Sequence, residues 1–343
     1  MLHKLNLVIL LLASFVFLVT FFQKSHLFGQ FNGQPKQPPQ SVRASTFKPP
    51  SNGVSSYLGL TSEQVTKKLG KPERKDPSPF GYEWWIYGVN SENYLQVGIL
   101  NGKVVTLFAM GDQLNTAPFI INESAHALLK KYPPAQKVSL VNQGTQIQFQ
   151  LQKEDLATRP LIKSGEHWVQ LYIDQFTGKL VGVRYLSAGT LVIQRPYSLV
   201  YQGTLPERPK LSQHAQSQIN QSEAREILDI SNLLRSRHQA RLLDWSSEAA
   251  KAAYLHSKEM DQRHYFSHDS KWQGDLRKRL ETQHVSFQMA GENIAAHYED
   301  SISVSIGWLN SAEHRKNLLN PSFTKLGVGV YQDFYTQDFV LPF

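Results

Sequence analysis

Three residues in the last third of this 343-residue chain could bind a metal or move a proton: His268, Glu292 and His314. Two imidazoles and a carboxylate are the donor set of a catalytic-type zinc site, with ligand distances of ~2.0–2.2 Å and one position left open for water. The same set also suits acid–base work, or a plain polar cavity that holds no ion. Lying far apart in sequence, the three can meet only if the fold gathers them. Other routes to hydrolysis lack their parts. Ser267 beside His268 makes no Ser-His-Asp arrangement, because sequence neighbours usually diverge in space. The chain has no GxSxG, no HExxH and no cysteine.

These residues belong to an ordered set of short pieces. In sequence they are Asn232 and Arg235, Leu243-Asp244-Trp245, His256-Ser257, Tyr265-Phe266-Ser267-His268 and Gly291-Glu292-Asn293. Trp308 with Ser311, His314 and Arg315 comes next, then Gly327-Val328-Gly329 and Tyr335-Thr336-Gln337-Asp338-Phe339. Each piece alone is weak, but in this order residues 222–343 resemble the CAP superfamily of cysteine-rich secretory, antigen-five and pathogenesis-related-one proteins, in a cysteine-free bacterial form. The resemblance implies an α-β-α sandwich with a central cavity lined by His268, Glu292 and His314. It also implies a second cavity glutamate, and that position falls on Ser311 here. Serine is a poor metal ligand and no general base at neutral pH, so the substitution weakens the case for an enzyme. Glu313, one residue before His314, should point about 100 degrees away on a helix of ~3.6 residues per turn.

The surrounding residues have plainer readings. Trp308, Phe266, Tyr265, Leu318 and Phe323 are expected in the core, and Asn293 and Arg315 as hydrogen-bonders in the cavity walls. His256 should pack or bond locally, and His264 and His284 should be solvated. Ile227, Ile230, Leu233 and Leu234 share one face of a helix beginning near Glu223. Ser246 can cap a second helix reaching about Gln262, shorter helices are expected over 275–281 and 301–310, and strands over 326–331 and 335–341.

Upstream, residues 53–202 read as a separate domain. Thr61 and Gln64 can form a capping box that opens a short helix, which Gly70 and Pro72 end. Tyr82, Trp84 and Ile86 alternate, as do Leu95, Val97 and Ile99, and Asn101-Gly102 supplies a hairpin turn before Val105 and Leu107. Val169-Gln170-Leu171 before Thr177-Gly178-Lys179-Leu180 echoes the Leu95 hairpin and hints at a repeat. The GLTSEQVTKKLGKP stretch resembles the helix-and-sheet repeats of beta-lactamase-inhibitor-protein-like folds, and the segment as a whole resembles the amino-terminal domain that accompanies bacterial CAP modules. Trp85 and Tyr87, opposite Trp84, are either a partner surface or part of the domain's own core.

Residues 5–22 are almost wholly apolar and, as a helix, would reach ~27 Å, close to a bilayer core. No small-residue cleavage site follows, so residues 1–25 read as an uncleaved anchor rather than a signal peptide. Residues 26–52 form a Pro/Gln-rich spacer, and 203–221 a linker between domains. The absence of cysteine excludes disulfides and thiolate zinc sites and fits a Gram-positive cell surface. The formal charge is +8, but five uncompensated bases lie within the first fifty residues, leaving +3 for the rest. That gives no support for nucleic-acid binding.

The expected fold class is therefore α+β, a helix-and-antiparallel-sheet domain followed by an α-β-α sandwich. The expected function is a membrane-tethered, extracytoplasmic binding module for a wall polymer, lipid or surface protein, without a cofactor. Two alternatives stay open. One is a divalent-metal hydrolase, with zinc on His268 and His314 and Glu292 as third ligand or base. The other is lipid binding, which only the resemblance implies.

Overall fold

The computed structural model describes residues 28–30 and 51–343. The apolar segment 5–22 and most of the spacer lie outside the described residues. Among the described residues no helix is long and apolar enough to cross a membrane.

The first domain contains β1 (Phe28–Gln30), α1 (Ser62–Leu69), β2 (Arg74–Pro77), β3 (Glu83–Tyr87), β4 (Leu95–Leu100), β5 (Lys103–Ala109) and α2 (Ala125–Lys131). There follow β6 (Lys137–Asn142), β7 (Thr145–Gln150), α3 (Lys153–Thr158), β8 (Leu161–Ser164), β9 (His167–Asp174), β10 (Lys179–Leu186), α4 (Ala188–Gln194) and β11 (Ser198–Gln202). The capping box on α1 forms as expected: the Thr61 hydroxyl accepts from the Gln64 amide at 3.2 Å, and the Gln64 side chain accepts from the Thr61 amide at 2.9 Å. At the hairpin turn Asn101 and Gly102 take φ of 49° and 72°, the left-handed region these two residues tolerate.

Seven antiparallel strands form the main sheet in the order β2-β3-β4-β5-β10-β9-β8, and β1-β11-β7-β6 form a second sheet. The repeat suggested by the two hairpins appears here as geometry. The β4–β5 and β9–β10 hairpins lie side by side, with β5 antiparallel to β10. The residue capping α1, Thr61, bridges to Lys103 at the start of β5, and the residue capping α2, Ser124, bridges to Lys179 at the start of β10.

The second domain contains α5 (Gln213–Arg237), β12 (Asp244–Trp245), α6 (Ser247–Gln262), α7 (Leu276–Thr282), β13 (Met289–Ala296), α8 (Ser301–Leu309), α9 (Ala312–Leu319), β14 (Lys325–Tyr331) and β15 (Phe334–Leu341). Its sheet runs β12-β14-β15-β13. Helix α6 presses on one face at Gly327 and Gly329, where an added Cβ would collide with the backbone of Ala249 and Ala250 or of Ala253 and Tyr254. Helices α5, α8 and α9 pack from the other side, giving the α-β-α sandwich. One boundary differs from expectation: α5 starts at Gln213, inside the stretch read as linker. Its first turns are polar and carry no apolar period, although Ser212 caps them at 3.1 Å.

The two domains share one hydrophobic core. Tyr82, Trp84, Phe108 and Tyr172 of the first pack with Ile227, Ile230, Ile302 and Trp308 of the second. Both faces of the seven-stranded sheet are thus covered, one by the second domain and the other by the first domain's own helices. Trp85 and Tyr87 are buried in this second layer and offer no partner surface. Buried ion pairs cross the junction: Arg184–Asp300 at 2.6 Å, Arg74–Asp229 at 2.7 Å and Arg159–Glu299 at 3.1 Å. Arg315, expected in a cavity wall, instead grips Asp174 of the first domain through two hydrogen bonds of 2.9 Å. Such pairs fix the relative orientation of the domains, because any other orientation strands a desolvated charge.

Candidate functional site

Glu292 is the hub. It sits in β13 with its carboxylate buried, and each oxygen is engaged. Oε1 is 2.8 Å from Nδ1 of His268, and Oε2 accepts from the guanidinium of Arg279 on α7. Burial alone would raise the Glu292 pKa. The His268 hydrogen bond and the charge of Arg279 outweigh it and hold the carboxyl below its usual range.

Arg279 also ties down the loop that carries His268. It donates to the carbonyls of His268 at 2.7 Å and Gly274 at 2.9 Å. Within that loop Ser270 donates to Glu259 at 2.7 Å and accepts from the amides of Trp272 and Gln273. His268 is therefore held from both sides of its backbone, while its own side chain is 56% exposed and opens the cluster to solvent.

Two further groups stand behind the carboxylate. His256 of α6 is wholly buried, with Nε2 3.0 Å from the Ser267 carbonyl and 4.0 Å from Glu292 Oε2. The carbonyl requires an N–H, which places the proton on Nε2. Burial, then the charge of Arg279, pushes the His256 pKa down to about 4, so the ring is neutral at neutral pH. Asp338 of β15 lies directly across from Glu292 in the sheet, wholly buried, and neither of its oxygens receives a hydrogen bond. Burial, reinforced by the Glu292 charge, raises its pKa well above the carboxylate range. Of the two facing carboxyls, Asp338 is thus the one shifted toward the protonated form and Glu292 the one shifted toward the ionised form.

His314 approaches from α9 and is half-buried. Burial and the charge of His268 push its pKa down to about 4. The helix is bolted to the sheet through asparagines: Asn293 donates to the His314 carbonyl at 3.1 Å and to Gln337 at 3.1 Å, and Asn317 donates to the Glu292 carbonyl at 2.9 Å. Ser311 occupies the position before this helix and its hydroxyl does not cap it. Among the described residues no hydrogen bond joins Ser311 to His268, Glu292 or His314. Glu313 faces outward beside Lys316 at 3.4 Å, as its place on the helix requires.

The fold thus brings His268 and Glu292 into contact and His314 within electrostatic reach, and leaves Ser311 uncommitted. The arrangement does not fit a three-ligand metal centre. A cation, Arg279, already sits on Glu292 Oε2 and His268 engages Oε1, and among the described residues no three ligand-type side chains are disposed to hold an ion. Arg279 and Asp338 escaped the sequence reading. Nothing in Arg277, Lys278 and Arg279 marks which base turns inward, whereas Asp338, an acid inside an apolar strand, was a usable signal. Trp308, Leu318 and Phe323 are core and His264 and His284 are exposed, as expected, whereas Tyr265 and Phe266 are only half-buried, packed at the edge of a small cluster around Met260 and Ile294.

Comparison with known proteins agrees with the geometry. Residues 58–197 match the profile described as CAP-associated N-terminal, and residues 228–343 match the cysteine-rich secretory protein family. The Bacillus subtilis protein named "Uncharacterized membrane protein YlbC" is 45% identical over 291 residues, covering 85% of this chain and 84% of that one. The crystal structure of an extracellular SCP-domain protein from Bacillus anthracis is 42% identical, with a TM-score of 0.81 over 90% of this chain and 99% of that chain. A cysteine-rich secretory protein from Staphylococcus aureus is 26% identical, with a TM-score of 0.76 over 86% and 95% of the two chains.

Proposed function

The chain belongs to the cysteine-rich secretory protein family, in a form that carries a CAP-associated amino-terminal domain, and we propose that it is a non-catalytic binding module held at the outer face of the cell membrane. Its ligand is a component of the cell envelope: a wall polymer, a lipid or a surface protein. The observation that carries the non-catalytic part is the closure of Glu292. With Oε1 against His268 and Oε2 against Arg279, both oxygens of this carboxylate are already hydrogen-bonded and its charge is matched by a guanidinium, which disfavours its use as a metal ligand or as a base toward a substrate proton. The location is supported by the apolar segment 5–22 and by relatives described as a membrane protein and an extracellular protein.

The two domains act as one rigid body, because the shared core and the cross-junction ion pairs leave no free hinge between them. The test is co-sedimentation of the full-length chain, in detergent, with isolated cell-envelope fractions. Retention by the envelope supports the reading, and absence of retention across salt and pH overturns it.

The hydrolase alternative has one observation in its favour. Glu292 orients His268 through Nδ1, which leaves Nε2 outward in the way a metal-binding imidazole is usually held. It would leave His268 and His314 as the only ligands, with Glu292 behind them rather than beside them.

A further inference from the structure

Away from the Glu292 cluster, a cleft of about 690 Å³ opens where β2 of the first domain meets α5, α6 and β14 of the second. We propose that this cleft binds an anionic saccharide, a sugar or polyol chain bearing carboxylate or phosphate groups. The proposal rests on the envelope-binding reading and assigns it a site and a ligand chemistry.

The charge balance points to an anion. Arg74 is spent on Asp76 and Asp229, each at 2.7 Å, and Lys75 lies 3.6 Å from Glu83. Arg225 and Lys251 lie on α5 and α6 and line the same cleft, and among the described residues neither forms a close ion pair, Asp229 near Arg225 being gripped by Arg74. Asp76 is the one acid among the lining residues, and it is buried and neutralised by Arg74. The cleft therefore presents two exposed cations that form no close ion pair. The Arg225 guanidinium lies 3.9 Å over the Trp245 ring, which braces its planar fork for two-point contact with a carboxylate or phosphate.

The rest of the lining points to a saccharide rather than an acidic peptide. Gln218 and Gln221 on the exposed side of α5 offer amides that both donate and accept, as vicinal hydroxyls require, and peptide carboxylates would use only the donors. Half-buried Tyr254 adds aromatic surface at the cleft wall for the apolar face of a sugar ring, while the Trp245 face is taken by Arg225. The site exists only where the domains join, so the shared core that fixes the domain junction also fixes its shape.

The experiment is calorimetric titration of the full-length chain in detergent with an oligogalacturonate, a malto-oligosaccharide of equal length and an oligoglutamate of equal length. The same titrations follow on an Arg225→Glu, Lys251→Glu double variant. Both residues are exposed, so the variant should melt with the wild type, and that melt is checked first. Oligogalacturonate should bind, weaken with added salt, and lose about tenfold or more in affinity in the double variant. Unchanged affinity in a normally melting variant, equal binding of the neutral sugar, or tighter binding of oligoglutamate overturns the assignment. If the wild-type chain sediments with isolated envelope yet ignores oligogalacturonate, the cleft assignment falls while the envelope reading stands; if it does neither, both fall.

Discussion

Replacing Arg279 by Met should be among the most damaging single changes in the second domain. Arg279 is 2% exposed and faces a Glu292 that is 7% exposed, with the buried Asp338, its pKa raised, alongside. Removing one partner of a buried pair strands the other charge, at a cost of about 3–5 kcal/mol. The lost hydrogen bonds to the His268 and Gly274 carbonyls push the effect toward the upper end of that range. Urea unfolding followed by circular dichroism reads this as a lower midpoint with an unchanged slope. The loss should also depend on pH. In the wild type the depressed Glu292 pKa contributes stability above the unfolded carboxylate value, and that contribution is lost as pH falls through the folded value. Without Arg279, burial and Asp338 push the carboxyl upward, so the gap between variant and wild type narrows toward acid pH. An Arg279→Met, Glu292→Gln double variant should recover part of the stability, since an amide strands no charge. A single variant within about 1 kcal/mol of wild type, or a double variant no more stable than the single, would refute the role of Arg279 as counter-ion.

Three further outcomes are expected. His256 is held neutral with a pKa of about 4 against an unfolded value near 6.5, so its contribution is intact above the unfolded value and is lost as pH falls toward 4, up to ~3 kcal/mol; a His256→Gln variant should show a flatter stability profile over that window, and an identical profile would count against it. Because one core cluster spans both domains, they should unfold together in one cooperative transition, and Arg184→Met should lower its midpoint by the equivalent of about 3–5 kcal/mol without splitting it; separate transitions for the two domains would show that they are not one unit. Zinc titration by calorimetry should show no stoichiometric uptake that depends on His268 and His314; uptake abolished by His268→Ala with His314→Ala would revive the hydrolase reading.

Local features of the structure were legible in the chain because neighbouring residues decide them. The Thr61–Gln64 capping box, the Asn101-Gly102 turn and the Ser246 cap each need only a few residues in succession, and each is where the spacing placed it. The start of α5 was missed for the complementary reason: its polar first turns bury little, so no apolar period announces them. The site was half legible. His268 and Glu292 stood out by residue type, but their meaning depended on Arg279, one of three consecutive basic residues in Arg277, Lys278 and Arg279.

By itself, then, the sequence determined the order of elements, the two-domain α+β plan and the family, since these follow from periodicity, caps, turns and an ordered set of motifs. Only the tertiary structure decided that Trp84 and Trp85 belong to two different cores, that Arg315 reaches into the other domain, and that the Glu292 carboxylate is already occupied. The physical reason is that burial and charge pairing are properties of neighbours in space. The energy of a carboxylate changes by several kcal/mol according to whether a guanidinium lies beside it, and no local pattern records that guanidinium's address.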